Sequence, residues 1–353
     1  MSTLARMLAS TKTIPAAVVW YLSDLAEFRG RQDLFTKQSP QKLKALRDSA
    51  IIESAIASNR IEGVEIAPER VRPVLIAAAA LRDRDEEEVR GYRDALKLIH
   101  DEAATLPITP ETILRLHELT RGKIWDAGRY KDKDVDIIER FPDGSSRVRF
   151  RTVSPGETPA AMDALCQNWA TCMREQRALA TVALAAFNLD FLCIHPFRDG
   201  NGRVSRLLML LCAYKLGFEA GRYISFERLI EENKDRYYET LQLASQGWHE
   251  GHEDPWTYVA YVLSTLKLAY RQFEQRLEAS PEPRGAKTHT VENAIAAMKG
   301  EFSVTDLERA CPGVSLDMIR HVLKSLRADG AVECLGRGPG APWRKITSPS
   351  EKR

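Results

Sequence analysis

Apolar residues recur with helical spacing along most of the chain, and Pro or Gly residues mark where many of these patterns begin or end. The patterns predict helices over about 40–62, 68–81, 86–100, 110–120, 157–175, 178–194, 203–216 and 256–277. The segment before residue 40 contains Pro15 and is predicted to be extended. The main domain is therefore expected to end near Ala279, and its fold class is expected to be mainly α.

One stretch departs from the helical pattern. Residues 128–154 alternate β-branched and charged side chains around a Pro-Asp-Gly turn. This alternation is typical of a β-hairpin. A plain surface hairpin would have the same pattern, so the residues alone assign it no function.

The last 70 residues form a pattern of their own after a polar, Pro- and Gly-rich linker at 280–290. Helices are predicted over 291–298, 304–310 and 315–328, the second capped by Ser303 or Thr305. Short strands at 331–334 and 343–346 flank a Gly-rich tip. Three helices followed by a hairpin indicate a winged helix, a helix-turn-helix variant, over 291–348. The preceding chain divides into an N-terminal helical region, 1–110, and a core, 111–279.

Basic residues occupy two places in this C-terminal pattern. Arg320, Lys324 and Arg327 fall on one side of its third helix, and Arg337, Arg344 and Lys345 fall on the hairpin. A basic surface of this kind is able to meet phosphates. Winged helices also dock proteins or dimerise, so DNA binding and a homodimer both stay open.

The composition is that of an ordinary globular protein. The 353 residues are 44% apolar and 28% charged, with a net charge of +2, which excludes the fibrous and disordered classes and a global polyanion partner. Apolar runs fall short of the roughly 18 residues that a membrane span needs, and the N-terminus lacks a secretory pattern. The six cysteines have no metal-ligand spacing. These features favour a cytoplasmic protein.

The densest chemistry lies in residues 195–206, HPFRDGNGRVSR. Pro196 biases His195 away from the α region, so the preceding helix should end there and leave His195 on an exposed loop. Asp199 is a hard oxygen ligand of the kind that Mg²⁺ shares with phosphates. The amides around Gly200 and Gly202 and the following helix N-terminus attract anions.

Two arginines complete this pattern. Arg203 and Arg206 lie three residues apart in the first turn of the helix, where they repel each other and meet the positive end of the helix dipole. An anion should offset that cost. The segment therefore predicts a polyphosphate site.

A second pattern lies far upstream, at residues 51–63. Apolar residues there share one helix face, and Gly63 is the stop signal. Glu62 then meets the negative end of the helix dipole, at a cost of about 0.3–1 kcal/mol, unless a cation pairs with it. A solvated glutamate at a helix end is the alternative.

Tyr237 and Tyr238 lie in a helical stretch past the motif, ENKDRYYETLQLA. Aromatic rings offer a sequence-tolerant surface on which a base can stack. Helix packing explains two adjacent tyrosines equally well, and both readings stay open.

The 195–206 segment resembles the Fic family, whose motif is HxFx(D/E)GNGRxxR. Every fixed position of that motif is matched, by His195, Phe197, Asp199, Gly200, Asn201, Gly202, Arg203 and Arg206. The resemblance implies a Fic-fold helical bundle that transfers AMP from ATP to a protein hydroxyl, with Mg²⁺ and release of pyrophosphate. It implies His195 as general base, with a pKa near neutrality, and Asp199 as Mg²⁺ ligand.

The resemblance assigns the other motif residues to the nucleotide. Asn201 and the amides of Gly200 and Gly202 would form an anion hole, and the two arginines would clamp the polyphosphate. Phe197 belongs to the same nucleotide-binding set. A YYxxL pattern, common in the family, adds Tyr237 and Tyr238.

A second family motif, (S/T)xxxE(G/N), is matched by Ser58, Glu62 and Gly63. In the family this marks an inhibitory helix, here about 45–63, whose glutamate pairs with the second arginine of the catalytic motif. Glu62 would therefore bind Arg206 in place of the γ-phosphate. The hairpin at 128–154 corresponds to a flap that receives the target protein by strand addition, and the winged helix resembles a module of many bacterial Fic proteins.

Two alternatives differ from autoinhibited AMP transfer. Some Fic relatives transfer UMP, phosphate or phosphocholine instead of AMP. Others modify themselves with AMP, and some also remove AMP from proteins. The other alternative is a regulator that binds DNA through its winged helix.

Overall fold

The computed structural model describes residues 2–9, 13–36, 40–77, 79–140, 143–176, 179–279, 286–298, 300–311, 314–336, 338 and 340–346. It divides into two compact units, unit 1 over 1–278 and unit 2 over 279–353. Most described residues are helical, which confirms the prediction of a mainly α fold. The predicted linker is shorter than expected. Its residues 280–285 lie outside the described residues, and 286–290 already belong to a helix, whose span of 286–297 contains no Pro or Gly.

Unit 1 contains twelve described α-helices and one hairpin. The helices are α1 (Thr3–Ala9), α2 (Ala16–Thr36), α3 (Pro40–Ile61), α4 (Pro68–Leu75), α5 (Arg84–Glu102), α6 (Pro110–Arg121), α7 (Thr158–Glu175), α8 (Ala180–Ile194), α9 (Asn201–Lys215), α10 (Phe226–Glu232), α11 (Lys234–Ser245) and α12 (Trp256–Ala279). The strands are β1 (Ile137–Arg140) and β2 (Ser146–Phe150).

The prediction of an extended N-terminal segment was wrong, because this segment forms α1 and α2. A seven-residue helix is too short to be stable alone. Tertiary contact supplies what is missing: the amides of Thr3 and Leu4 each donate to the Asp190 carboxylate of α8, at 2.8 Å. The local sequence around Thr3 does not predict this helix, because the stabilising Asp190 is 187 residues away in the chain.

Helix α4 is shorter than the predicted 68–81. It ends at Leu75. Arg90 Nε donates to Val74 O at 3.0 Å and Arg93 Nη1 donates to Leu75 O at 2.6 Å, so side chains of α5 satisfy carbonyls that a longer helix would have used.

The hairpin confirms the predicted change of pattern. Strands β1 and β2 pair antiparallel, with Ile138 opposite Val148 and a register shift between Ile137 and Ile138. The turn's Asp143 accepts hydrogen bonds from Ser145, while Pro142 lies outside the described residues.

Helices α8 and α9 run through the core of unit 1, where nearly every one of their side chains is buried. The six-residue loop between them, 195–200, is therefore fixed at both ends. Helix α3 packs on α5 and α10, which brings its C-terminal end to the same region.

Unit 2 contains α13 (Ala286–Ala297), β3 (Glu301–Phe302), α14 (Val304–Ala310), α15 (Leu316–Ala328), β4 (Val332–Cys334) and β5 (Trp343–Lys345). Ser303 and Asp306 form a capping box at the start of α14, which settles the choice of cap. The strands form one antiparallel sheet in the order β3-β5-β4. The predicted helices and hairpin are thus present with an added short strand, and the winged-helix assignment itself stays a prediction.

The basic residues of unit 2 differ in their surroundings. Arg344 pairs with Glu333 at 2.6 Å, and Lys345 donates to Ala296 O at 2.7 Å. Arg320, Lys324 and Arg327 are exposed on α15, and Arg337 lies outside the described residues. Among the described residues, no helix is long and apolar enough to cross a bilayer.

Candidate functional site

His195 ends α8 in the left-handed region, with φ 53° and ψ 61°. Pro196 thus keeps it out of the right-handed α region, as expected, but the side chain is half-buried rather than exposed. His195 Nδ1 lies 3.3 Å from Leu192 O, so the tautomer that donates from Nδ1 leaves Nε2 as the basic nitrogen. Burial lowers the pKa of His195 to about 4 despite that hydrogen bond. The expected pKa near neutrality was wrong, and the imidazole is neutral at pH 7.

Asn201 closes the loop with its side chain. Its Oδ1 accepts from Phe197 N at 2.9 Å, and its Nδ2 donates to Phe197 O at 2.8 Å. The Phe197 ring is fully buried and stacks on His117, with centroids 3.7 Å apart. These two side chains therefore shape the loop from the core side, and the assignment of Phe197 and Asn201 to the nucleotide stays a prediction.

The two motif glycines answer different steric demands. Gly200 precedes α9 with φ 85°, a conformation that favours glycine. Gly202 lies against Glu62, and a Cβ there would stand 2.2 Å from Glu62 Oε1. Only a glycine at 202 lets the carboxylate approach the first turn of α9, where backbone amides lack helical partners and the dipole attracts anions.

Arg206 is held by the end of α3. Its Nη2 donates to Glu62 Oε1 at 2.8 Å and to Ser58 O at 2.9 Å, and its Nε donates to Ser58 Oγ at 2.9 Å. The Arg206 side chain is 1% exposed and that of Glu62 is 30% exposed. Burial alone would lower the pKa of Arg206, but the charge and hydrogen bond of Glu62, together with Tyr237 and Tyr92, outweigh burial and the pKa is raised. The two charges that the sequence left unbalanced thus neutralise each other.

Gly63 follows Glu62 with φ 82°, so it turns the chain out of α3 immediately after the carboxylate.

Arg203 points into a buried charge network rather than toward open solvent. Its Nη1 donates to Glu88 Oε2, and Glu88 Oε1 accepts from Arg121 at 2.8 Å. Arg121 also reaches Asp199 Oδ2 at 2.7 Å, and Arg203 lies 3.4 Å from Asp199 Oδ1. Sequence reasoning missed Glu88 and Arg121, because single charged residues on surface-like helical patterns carry no local signal.

Asp199 is the open end of that network, with a side chain 53% exposed. Burial would raise its pKa, but Arg203, Arg121, Arg84 and the Gly200 amide together outweigh burial and the pKa is lowered, so the carboxylate is charged. No group of three His, Cys, Asp or Glu side chains suited to a metal occurs among the described residues. A lone carboxylate fits Mg²⁺ only as an ion shared with substrate phosphates.

A cavity of about 320 Å³ lies beside the loop. It is lined by Glu62, Asp136, Ile137, Arg149, Phe150, Leu189, Leu192, Cys193, His195, Gly202, Arg206, Tyr237, Tyr238, Leu241 and Ser245. The cavity thus brings together the end of α3, the hairpin, the His195 loop and α11.

Both proposed aromatic residues reach this cavity. Tyr237 is 3% exposed and packs against Tyr258 and Tyr261, while Tyr238 is half-buried and its ring lies 5.2 Å from that of Tyr237. Tyr237 therefore belongs to helix packing as well as to the cavity wall.

Lys131 is a further residue that the sequence did not single out. Its backbone N–H donates to Pro196 O at 2.9 Å, and its ammonium donates to Ile194 O at 3.1 Å and Thr152 Oγ1 at 2.7 Å. It connects the base of the hairpin to the residues on either side of His195. Burial lowers the pKa of Lys131 to about 8.

A second cavity, of about 500 Å³, lies along β1 near Asp199. Arg121, Trp125, Asp136, Ile138 and Arg198 are among its lining residues. The hairpin thus borders both cavities, one on the side of Tyr238 and one on the side of Arg121.

Part of this sequence is similar to sequences of known proteins. The Fic/DOC family model matches residues 107–213. Proteins named protein adenylyltransferase Fic from Nematostella vectensis and Drosophila persimilis are each 26% identical, over 215 and 217 residues, or 58% and 60% of this chain. The chain spans less than half of these relatives, 46% and 39% of their lengths.

Solved structures resemble the fold. A Fic family protein from Desulfovibrio desulfuricans G20 aligns over 95% of this chain and 98% of its own, with TM-score 0.60 and 24% identity. Fic-1 from C. elegans aligns over 74% of this chain and 73% of its own, with TM-score 0.58 and 19% identity. Residues 107–213 are therefore a Fic domain, and the chain has the fold of the Fic family.

Proposed function

We propose that the chain transfers AMP from ATP to a hydroxyl group of a protein, and that Glu62 holds this activity in check. The observation that carries the proposal is the ion pair between Glu62 and Arg206 in the wall of the cavity that also contains His195. The names of the relatives support a Fic-type transferase.

The reaction begins when the target hydroxyl oxygen attacks the α-phosphorus of ATP. Nε2 of neutral His195 takes the hydroxyl proton, the bond from the α-phosphorus to the oxygen bridging the β-phosphate breaks, and pyrophosphate leaves. The first-turn amides of α9 stabilise charge on the phosphates. Asp199 would hold Mg²⁺, which supplies charge neutralisation at the phosphates when bound.

The inhibition follows from the position of Arg206. Its guanidinium is the cation for the γ-phosphate, but Glu62 and Ser58 already use it. A carboxylate at the N-terminus of α9 also repels phosphate from the anion site. ATP then cannot place its α-phosphorus correctly for the hydroxyl.

The target protein would bind as an added strand. Among the described residues, β1 and β2 form a two-stranded sheet, so each strand keeps one edge for a further strand. The β1 edge lies beside the 500 Å³ cavity, which is also lined by Arg121, a partner of Asp199, so a strand added there would present its side chains on the Asp199 side of the site.

The test uses self-labelling, because it requires no known target. We expect Glu62→Gly to raise incorporation of label from α-³²P-ATP and not from γ-³²P-ATP, and we expect His195→Ala to abolish it in the same background while ATP still binds. Label from the γ-phosphate would instead assign phosphate transfer. Unchanged labelling in Glu62→Gly would contradict the inhibitory role.

A second candidate function rests on unit 2. The exposed Arg320, Lys324 and Arg327 of α15 favour DNA binding by a winged helix. An electrophoretic shift with specific and random DNA tests this: charge reversal at all three should abolish a shift, and equal retardation by both DNAs would contradict a regulatory role.

A further inference from the structure

Unit 1 contains a groove larger than the His195 cavity and separate from it. The groove measures about 690 Å³ and runs between α2 and α12 to the joint of α10 and α11. This volume falls in the range of small-molecule sites. Its walls include Val18 and Tyr21 of α2, Leu229 and Asn233 at the joint, and Trp256 and Ala260 of α12.

The charged residues that line this groove are all cationic: Arg236, Lys267 and Arg271. Lys267 already pairs with Asp24, and Arg236 pairs with Glu239 in a solvent-exposed contact that contributes little. Since no carboxylate belongs to the described lining, the groove favours an anion.

The uncharged part of the lining favours an apolar body. Tyr21, Trp256 and Tyr261 supply aromatic surface. One hydroxyl of the α12 wall, Thr257 Oγ1, is buried and lacks a hydrogen-bond partner among the described residues. Buried polar groups are normally paired, so a polar atom of a ligand would satisfy a need that is already present.

The groove lies next to the residues that hold the C-terminal end of α3. Lys234, next to Asn233, donates to Ile61 O at 2.7 Å, one residue before Glu62. Glu231 of α10 pairs with Arg60 at 2.9 Å. The joint of α10 and α11 therefore forms one wall of the groove and also holds the last turn of α3.

The groove also adjoins the His195 cavity. Tyr261 lines the groove, Tyr237 lines the cavity of His195, and their rings lie 5.8 Å apart. The two spaces share this pair of rings as a wall.

We propose that the groove between α2 and α12 is a regulatory site for a small organic anion with an aromatic or otherwise apolar body. Such a ligand spans α2, α12 and the α10–α11 joint, so it fixes the joint that holds α3. It therefore stabilises the arrangement in which Glu62 binds Arg206. The site itself is independent of the reaction, whereas its regulatory effect rests on the proposed function.

Binding is tested with 8-anilinonaphthalene-1-sulfonate, an aromatic sulfonate whose fluorescence rises on binding. We expect saturable binding to the full chain. Arg236→Glu with Arg271→Glu should weaken it at least about tenfold, the loss expected for a charge-assisted hydrogen bond. Ala260→Trp, which fills the groove, should weaken it similarly.

Matched controls lie elsewhere on unit 1. Arg115→Glu changes an exposed charge on α6, and Ala160→Trp adds an exposed ring on α7. Both should leave probe affinity unchanged. Probe binding that is insensitive to the groove variants, or equally sensitive to the controls, would overturn the site.

The regulatory effect is tested by reciprocity, because coupled sites alter each other's affinity equally. Glu62→Ala should weaken the probe, and the probe should lower self-labelling by the unaltered chain. Equal or tighter probe binding by Glu62→Ala would overturn the coupling without touching the proposed reaction. Loss of labelling in every chain, with probe binding intact, would instead overturn the proposed reaction.

Discussion

Replacing Glu62 with alanine should destabilise unit 1 and make it more responsive to ATP. The change removes a 2.8 Å contact to a guanidinium that is 1% exposed, while both Ser58 contacts remain. A hydrogen bond between charged groups contributes about 1.5–3 kcal/mol. Because the Glu62 side chain is 30% exposed, solvent screening reduces the expected loss to about 1–2 kcal/mol.

Calorimetry of the full chain measures this loss. For a unit of this size, about 2–4 °C of melting temperature corresponds to 1 kcal/mol. Added Mg²⁺ and ATP should then stabilise the variant more than the unaltered chain, since the γ-phosphate replaces the carboxylate at Arg206; a ligand at 100 times its Kd adds about 2.7 kcal/mol.

The control is Glu65→Ala, an exposed carboxylate three residues away. It should change neither the melting temperature nor the stabilisation by Mg²⁺ and ATP. The reasoning is refuted if Glu62→Ala melts with the unaltered chain, or if ATP stabilises both chains equally.

Three further predictions concern the same site. Because burial lowers the pKa of His195 to about 4, the labelling rate of Glu62→Gly should lose its base only as the pH falls toward 4; an acid limb centred near 6.5 would contradict this. Lys131 has a folded pKa of about 8, below its unfolded value, so it contributes a rise in stability from pH 8 to about 10.5. Lys131→Met should remove that rise in urea titrations, and an unchanged profile would exclude Lys131 as its source. Asp199→Asn should weaken the Mg²⁺ dependence of ATP binding in calorimetric titrations, whereas Asp132→Asn should not.

The sequence predicted most of the helices around the site because capped apolar periodicity is a local property. Helix α9 and the turn at Gly63 depend on signals within a few residues. Glu62 and Arg206 each lie at the unfavourable end of a helix dipole and lack a local partner of opposite charge. In the structure these two side chains pair with each other.

The rest depended on contacts between distant residues. Helix α1 needs the Asp190 carboxylate, and the direction of Arg203 is set by Glu88 on another helix. The low pKa of His195 arises mainly from burial, and the sequence of its own loop does not indicate how deeply the side chain is buried. The packing of Phe197 on His117 likewise joins residues that are 80 positions apart in the sequence, so the loop sequence alone does not reveal it.

The central claim is that Arg206 is shared between Glu62 and the γ-phosphate. Transfer from α-³²P-ATP should be compared in the unaltered chain, Glu62→Ala, Arg206→Ala and the double variant. We predict low labelling in the first, a rise of at least about tenfold in Glu62→Ala, and low labelling in both chains that lack Arg206. A double variant as active as Glu62→Ala would contradict the account, because release of Arg206 could not then be the reason for activation.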